Sequence, residues 1–320
     1  MKLGLFTVLY ADRGIAEVVE KAVAMGIQAI ELGVANYPAT SHLEGLTTDR
    51  QVEKFVETLT QHHIEISALS CQGNPLHPDP AVAQRHHQGW EETVRWAERL
   101  GVNCVNVFSG CPGDQTGGTH PNWVTCAWPE EYRDLLAWQW NEKVIPYWQG
   151  ATTFANHHGV DHIAFEMHPG FVVYNPYTLL KLRQAVGPSL GANVDPSHLY
   201  WQGIDPVMAI RVLCQENALF HFHAKDVLID PYNTAVNGVL DSRSYRDIKD
   251  RAWSFCTVGS GHGAHAWAQM IYELRRGGYE GVLSIEHEDA LASREEGLKH
   301  AVDLLKELVW TEPPEAAWWI

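Results

Sequence analysis

Long apolar runs are missing from this chain. No stretch of about eighteen consecutive apolar residues occurs in its 320 residues, so nothing in it reads as a membrane-spanning helix. Basic residues are scarce as well: 23 Lys and Arg stand against 39 Asp and Glu, a formal charge of −16 that repels phosphate backbones and disfavours nucleic-acid binding. The cysteines (Cys71, Cys104, Cys111, Cys126, Cys214 and Cys256) form no CxxC pair and no compact framework, which points to reduced thiols rather than disulfides or a thiolate metal site. Met1-Lys2-Leu3-Gly4 leads directly into a strand-like run without a signal-peptide profile, so a cytoplasmic location is expected. Repeats, low-complexity tracts and linkers are absent too, and the expectation is one domain spanning residues 1–320.

What the chain does contain is alternation. Apolar, β-prone runs fall near residues 3–8, 27–33, 64–70, 102–109, 161–168, 189–195, 219–226 and 281–288. Between them lie amphipathic segments, predicted as helices over 15–25, 49–62, 81–100, 130–158, 176–186, 206–217, 264–276 and 294–308. Asn175, Asp205 and Ser293 offer N-caps, and Pro176 and Pro206 stand at first helical positions. Eight β-then-α units imply an α/β fold, a closed parallel (β/α)8 TIM barrel, with long loops after strands four (110–129) and seven (227–263). A doubly wound sheet is the rival reading. It offers no reason for the feature described next.

Four successive strands end in carboxylates and imidazoles: Phe165-Glu166-Met167-His168, Asn193-Val194-Asp195-Pro196-Ser197-His198, His221-Phe222-His223-Ala224-Lys225-Asp226 and Ser284-Ile285-Glu286-His287-Glu288-Asp289. Ionised carboxylates beside buried strands are costly unless a cation compensates them. In a barrel all strand C-termini meet at one mouth, which brings these residues together. Side-chain alternation puts Glu166 with His168, His223 with His221 and Lys225, and Glu286 with Glu288 on inward faces. Carboxylates with an imidazole suit one divalent ion, Mn²⁺ first, with Mg²⁺, Co²⁺ or Zn²⁺ as alternatives. Plainer readings compete: paired glutamates can form salt bridges with Lys225, and a single His is more often packed than ligating. The pairs His62-His63, His86-His87 and His157-His158 read as helix surface, and Gly259-Ser260-Gly261-His262-Gly263 as an ordinary flexible loop rather than a phosphate loop.

In its order of motifs the chain resembles the xylose isomerase-like TIM-barrel superfamily of sugar phosphate isomerases and epimerases. The order is Ile30-Glu31-Leu32-Gly33 on strand two, Glu166 on strand five, Asp195-x-x-His198 on strand six, His221-x-His223 on strand seven and Glu286 on strand eight. The resemblance implies metal ligation by Glu166, Asp195, His223 and Glu286, with His198 near the substrate, His221 behind or beside the metal, and Glu166 and Glu286 shuttling the proton. Lys225-Asp226 follows the strand-seven histidine where the ketose epimerases carry an arginine, as in inositol-type branches.

The chemistry expected is epimerisation or isomerisation of a sugar or keto-sugar by proton abstraction α to a carbonyl, through a metal-stabilised enediolate. The alternative is a lyase or dehydratase acting on a keto-polyol or a 3-keto glycoside from the same site. His168, His198 and Lys225 are expected to bind the carbohydrate, and Trp123 on the fourth loop to cover its apolar face. The tail over 309–320, with Trp318 and Trp319, is expected to pack on the barrel or on a partner subunit of a homo-oligomer.

Overall fold

A computed structural model of the chain describes every residue except 37–40, 314, 316 and 318. The chain opens with β1 (Lys2–Phe6) and α1 (Ile15–Ala24), then runs through β2 (Ala29–Ala35), α2 (Asp49–Gln61), β3 (Glu65–Cys71), α3 (Pro80–Leu100), β4 (Cys104–Val107), α4 (Glu131–Trp138) and α5 (Ile145–His157). Next come β5 (His162–Glu166), α6 (Pro176–Val186), β6 (Leu190–Val194), α7 (Pro196–Tyr200), α8 (Pro206–Gln215) and β7 (Leu219–Ala224). An excursion of β8 (Asp226–Ile229), α9 (Pro231–Asn237) and β9 (Trp253–Cys256) precedes α10 (Ala264–Arg276), β10 (Val282–Ile285) and α11 (Arg294–Leu308).

Eight of these strands close into a parallel barrel in the order β1-β10-β7-β6-β5-β4-β3-β2, the (β/α)8 architecture expected. The rival open sheet is ruled out by the pairing of β1 with β10, Leu3 opposite Leu283. Local chemistry agrees with the path of the chain. Thr48 and Gln51 form a capping box at the start of α2, Asn175 caps α6 with Pro176 behind it, and Gly101 ends α3 at φ 68°, a conformation that disfavours any residue with a Cβ. Barrel and helices share one core, with Trp140, Trp148 and Trp267 among its largest buried side chains. All six cysteines are free.

Three expectations change. The helix predicted over 130–158 is two α-helices joined by π-helical turns over Gln139–Val144, because Pro146 has no N–H for the regular ladder and crowds the preceding turn. Strand seven stops at Ala224, and Asp226 begins β8, which pairs antiparallel with β9 (Asp226 opposite Cys256); the seventh loop is thus a built ribbon. Gly259-Ser260-Gly261-His262-Gly263 is neither loose nor a phosphate loop. The backbone N–H groups of Gly259, Gly261 and His262 all donate to Asp226 Oδ2, so an internal carboxylate fills the position a phosphate would take. The start of the tail packs on α10: the Arg275 guanidinium lies 4.7 Å over the Trp310 ring. Trp319 is largely exposed, while Trp318 lies outside the described residues.

Candidate metal centre

Ligand atoms of Glu166, Asp195, His223 and Glu286 lie within 4.8 Å of one another at the C-terminal mouth of the barrel, all four buried. Each comes from a different strand end. Glu166 is the last residue of β5, Asp195 follows β6, His223 lies near the end of β7 and Glu286 follows β10. Asp195 is also the N-cap of α7: its Oδ1 accepts from the Ser197 N–H at 2.8 Å, which fixes the carboxylate and leaves Oδ2 facing the cluster.

The donor set has the character of a cation site. Asp195 Oδ2, His223 Nδ1 and Glu286 Oε2 are buried without a hydrogen-bond partner, although His223 Nδ1 stands 2.9 Å from Glu286 Oε2 and 3.6 Å from Glu166 Oε2. Buried polar atoms crowded together yet unaligned with one another fit a shared third partner, and three carboxylates with an imidazole fit a hard or borderline divalent ion.

Below the cluster lies a residue that strand patterning had passed over. Glu31, fully buried in the apolar run of β2, accepts hydrogen bonds from His223 Nε2 at 2.9 Å, Asn106 Nδ2 at 2.8 Å, and the Ser70 and Ser284 hydroxyls. A carboxylate that receives the Nε2 proton turns the Nδ1 lone pair of His223 toward the mouth, the outer-shell arrangement typical of metal-bound histidines. The signal was present in the sequence as one charged residue inside an otherwise apolar strand. His221 sits behind His223, buried, with Nδ1 3.1 Å from Asn193 Oδ1 and Nε2 3.3 Å from the Ser67 hydroxyl.

The charges settle unevenly. Burial pushes Glu31 up, but His223, His221 and the hydrogen bonds outweigh it and hold the carboxyl at about 2. Glu286 behaves alike: burial is overcome by Lys225 and His223, which keep it well below the usual range. Glu166 moves the other way, raised by burial and by the charge of Glu286, and burial lifts Asp195 to about 6. For His223, burial is outweighed by Glu31 and Glu286, which hold the imidazole well above its ordinary value, so a proton compensates the carboxylates in the protein alone.

The expected substrate-side residues divide. His168 lines a cavity of about 1070 Å³ that opens over Glu166 and Glu286; its Nδ1–H donates to the Pro169 carbonyl at 2.6 Å and burial lowers it to about 3. His198 lies under it, ring centroids 4.0 Å apart, with Nε2 3.2 Å from Glu166 Oε1 and both ring nitrogens unpartnered; burial lowers it to about 4, so both rings are neutral near pH 7. Lys225 also lines the cavity. Its ammonium stands 2.6 Å from Glu288 and 3.5 Å from Glu286 and lies 4.2 Å over the Phe255 ring. Those carboxylates overcome burial and keep it firmly protonated, which removes it as a general base.

Trp123 does not join them. It stands edge-on to Tyr174, in the segment after β5, at 5.4 Å and is not among the residues lining the cavity. The aromatic wall comes instead from the seventh-loop ribbon, through Tyr245, Trp253 and Phe255, together with Phe108 and Phe171. His86, read from sequence as helix surface, also lines the cavity, its Nδ1 accepting the Asn74 N–H at 2.9 Å.

Residues 19–308 match the family described as xylose isomerase-like TIM barrel. A protein of Bacillus subtilis strain 168, the uncharacterized protein YfiH, is 36% identical over 314 residues, covering 97% of this chain and 99% of its own length. Among solved structures, the probable 3-DHS dehydratase AsbF of Bacillus anthracis superposes with a TM-score of 0.67 at 17% identity (96% of this chain, 99% of that one). A D-tagatose 3-epimerase-like protein gives 0.65 at 19% (96% and 97%), and the IOLI protein with a bound zinc atom 0.65 at 18% (97% and 98%). At such identities these structures speak for the fold.

Proposed function

The chain belongs to the xylose isomerase-like TIM-barrel family, and from that premise we propose that it is a divalent-metal-dependent epimerase or isomerase acting on a sugar or keto-sugar. The observation that carries the reading is the convergence of Glu166, Asp195, His223 and Glu286 within 4.8 Å, with Asp195 Oδ2, His223 Nδ1 and Glu286 Oε2 unpartnered. Those four residues would hold the ion, which when bound supplies Lewis acidity toward a carbonyl and its neighbouring hydroxyl. Zinc in a protein of like fold supports a metal; Mn²⁺ remains our first choice for the oxygen-rich donor set.

The chain's own residues carry the proton. Glu166, raised by burial and by Glu286, is the stronger base of the two once ionised and takes the proton from carbon, while Glu286, held ionised by Lys225 and His223, starts without a proton and takes it from the opposite face in the reverse direction. Neutral His168 and His198 beside Glu166 can hydrogen-bond substrate oxygens in either sense, and Lys225 contributes fixed positive charge near Glu286. The ribbon of β8 and β9 covers the cavity with Trp253 and Phe255, limiting water at the reacting carbon.

A dehydratase or lyase is the second reading, favoured by the likeness to the probable 3-DHS dehydratase: the same proton abstraction followed by loss of a β substituent. One experiment separates the outcomes. Metal content is measured on protein purified without added ions, and ketoses, an inosose and 3-keto sugars are then incubated with it in deuterated water. Deuterium entering the carbon α to the carbonyl supports the reading, with retained carbon skeleton and hydroxyls for epimerisation and loss of water or aglycone for elimination. Protein that retains no metal after loading with Mn²⁺ and exchanges nothing sinks it.

A further inference from the structure

Resting on that reading of the cavity as a carbohydrate site, we propose that Gln72 reads a hydroxyl group of the substrate through its side-chain amide. Gln72 follows the last residue of β3 and lines the cavity that also contains Glu166 and Glu286. It is only 6% exposed, yet neither Nε2 nor Oε1 has a hydrogen-bond partner. An amide brings two donors and an acceptor, and native proteins rarely bury all of them idle.

The neighbours on the same wall make the contrast. Asn74 is fully engaged: Nδ2 donates to the Cys111 carbonyl at 2.9 Å, and Oδ1 accepts from the N–H groups of Cys111 and Leu76. Asn36 donates to the His86 carbonyl at 3.1 Å and contacts Cys71 Sγ at 3.2 Å. His86 holds the Asn74 N–H. Gln72 is surrounded by satisfied polar groups and remains unsatisfied itself.

Its position is also fixed from the backbone. Gly73 has φ +128°, outside the range of L side chains, and a Cβ there would meet the Asn36 side chain at 3.0 Å. The turn therefore holds Gln72 at one place at the barrel mouth, the preorganisation a hydroxyl reader requires. A hydroxyl donates once and accepts twice, which matches the acceptor and the donors that the amide leaves free. The ligand class follows: a polyhydroxylated substrate with a hydroxyl beyond the carbonyl and hydroxyl pair that faces the metal centre.

The test uses metal-loaded wild-type protein, Gln72→Met, which keeps the shape without hydrogen bonds, and Gln72→Glu, which keeps acceptors only. Each is titrated by calorimetry with D-tagatose, D-fructose and an inosose, and then with deoxy derivatives of whichever probe binds. Metal content and thermal midpoint are measured on the same samples. The wild type is expected to bind at least one probe, and Gln72→Met to bind it roughly tenfold to a hundredfold more weakly at unchanged metal content and midpoint. The deoxy derivative lacking the matched hydroxyl should bind both proteins alike. Equal affinity of wild type and Gln72→Met for every probe, or no binding of any probe by the wild type, overturns the assignment. A lower midpoint with unchanged affinity makes Gln72 a structural residue instead. Failure of the metal reading shows separately, as absent metal in the wild type.

Discussion

Two groups of buried carboxylates share His223 and differ in one respect. On the floor, Glu31 is saturated, its oxygens taken by His223, Asn106, Ser70 and Ser284. At the mouth, Asp195 and Glu286 each keep an oxygen without a partner, and so does the His223 nitrogen between them. Both places are buried; only the floor is complete. Charged residues whose hydrogen bonds are complete build the framework, while those left open mark where a ligand belongs.

Perturbing the mouth should have the largest effect. Glu166→Gln keeps an oxygen toward the ion but cannot take a proton, so solvent-deuterium exchange should slow by roughly 10²–10⁴-fold with a smaller change in substrate affinity. Near-normal exchange would move the base elsewhere. Next comes the floor: Glu31→Gln frees the tautomer of His223 and should weaken metal binding about 10–100-fold, read by competition with a chelating dye. It should also lower the thermal midpoint, since it leaves donors built for a carboxylate mismatched. Unaltered metal affinity would mean that floor and mouth are independent.

Acidity sharpens the comparison further. The protonated carboxylate is the form that cannot ligate, and burial raises Asp195 to about 6 and raises Glu166 as well, whereas Glu31 is held at about 2. Metal affinity should therefore fall with pH already above 6, where the ion must displace the proton held by His223, and more steeply through about 6 as Asp195 takes up a proton, by up to roughly tenfold per unit for each proton displaced, with the floor still ionised. An affinity flat between about pH 5 and 7, on either side of the raised Asp195 carboxyl, would contradict these assignments. The smallest effect is expected outside both groups. Trp123→Ala, against Tyr174, should leave metal content and the Michaelis constant unchanged, while Phe255→Ala, under Lys225 and on the cavity wall, should raise the constant.

Much of this was legible in the chain. Eight apolar runs separated by amphipathic segments specify the barrel, and in several units an Asn, Asp or Ser cap or a Pro at the first turn agrees with the period. The strand-end residues Glu166, Asp195, His223 and Glu286 stood out because carboxylates and imidazoles are out of place there, and the structure brings them together. Trp123 was assigned as an aromatic on a long loop, and neither feature says which way a loop folds. The ribbon of β8 and β9 escaped notice because its pairing, Val227 with Phe255 and Leu228 with Ser254, joins segments 28 and 26 residues apart across an irregular stretch. Glu31 showed in the sequence only as one charge inside an apolar strand, and Gln72 not at all, for a different reason. Their meaning lies in how many hydrogen bonds they make, which only three-dimensional neighbours decide.

Barrel closure carries one more consequence, in time rather than space. The last metal-site carboxylate, Glu286, follows β10, and β10 is also the strand that completes the ring by pairing with β1, residues 282–285 against residues 2–5. A chain still emerging during synthesis has neither the closed ring nor the fourth ligand until those residues appear. Because contacts so distant in sequence form late, tight ion capture should coincide with the final step of folding, and the ion would then act as a lock on finished molecules and not as a nucleus for unfinished ones.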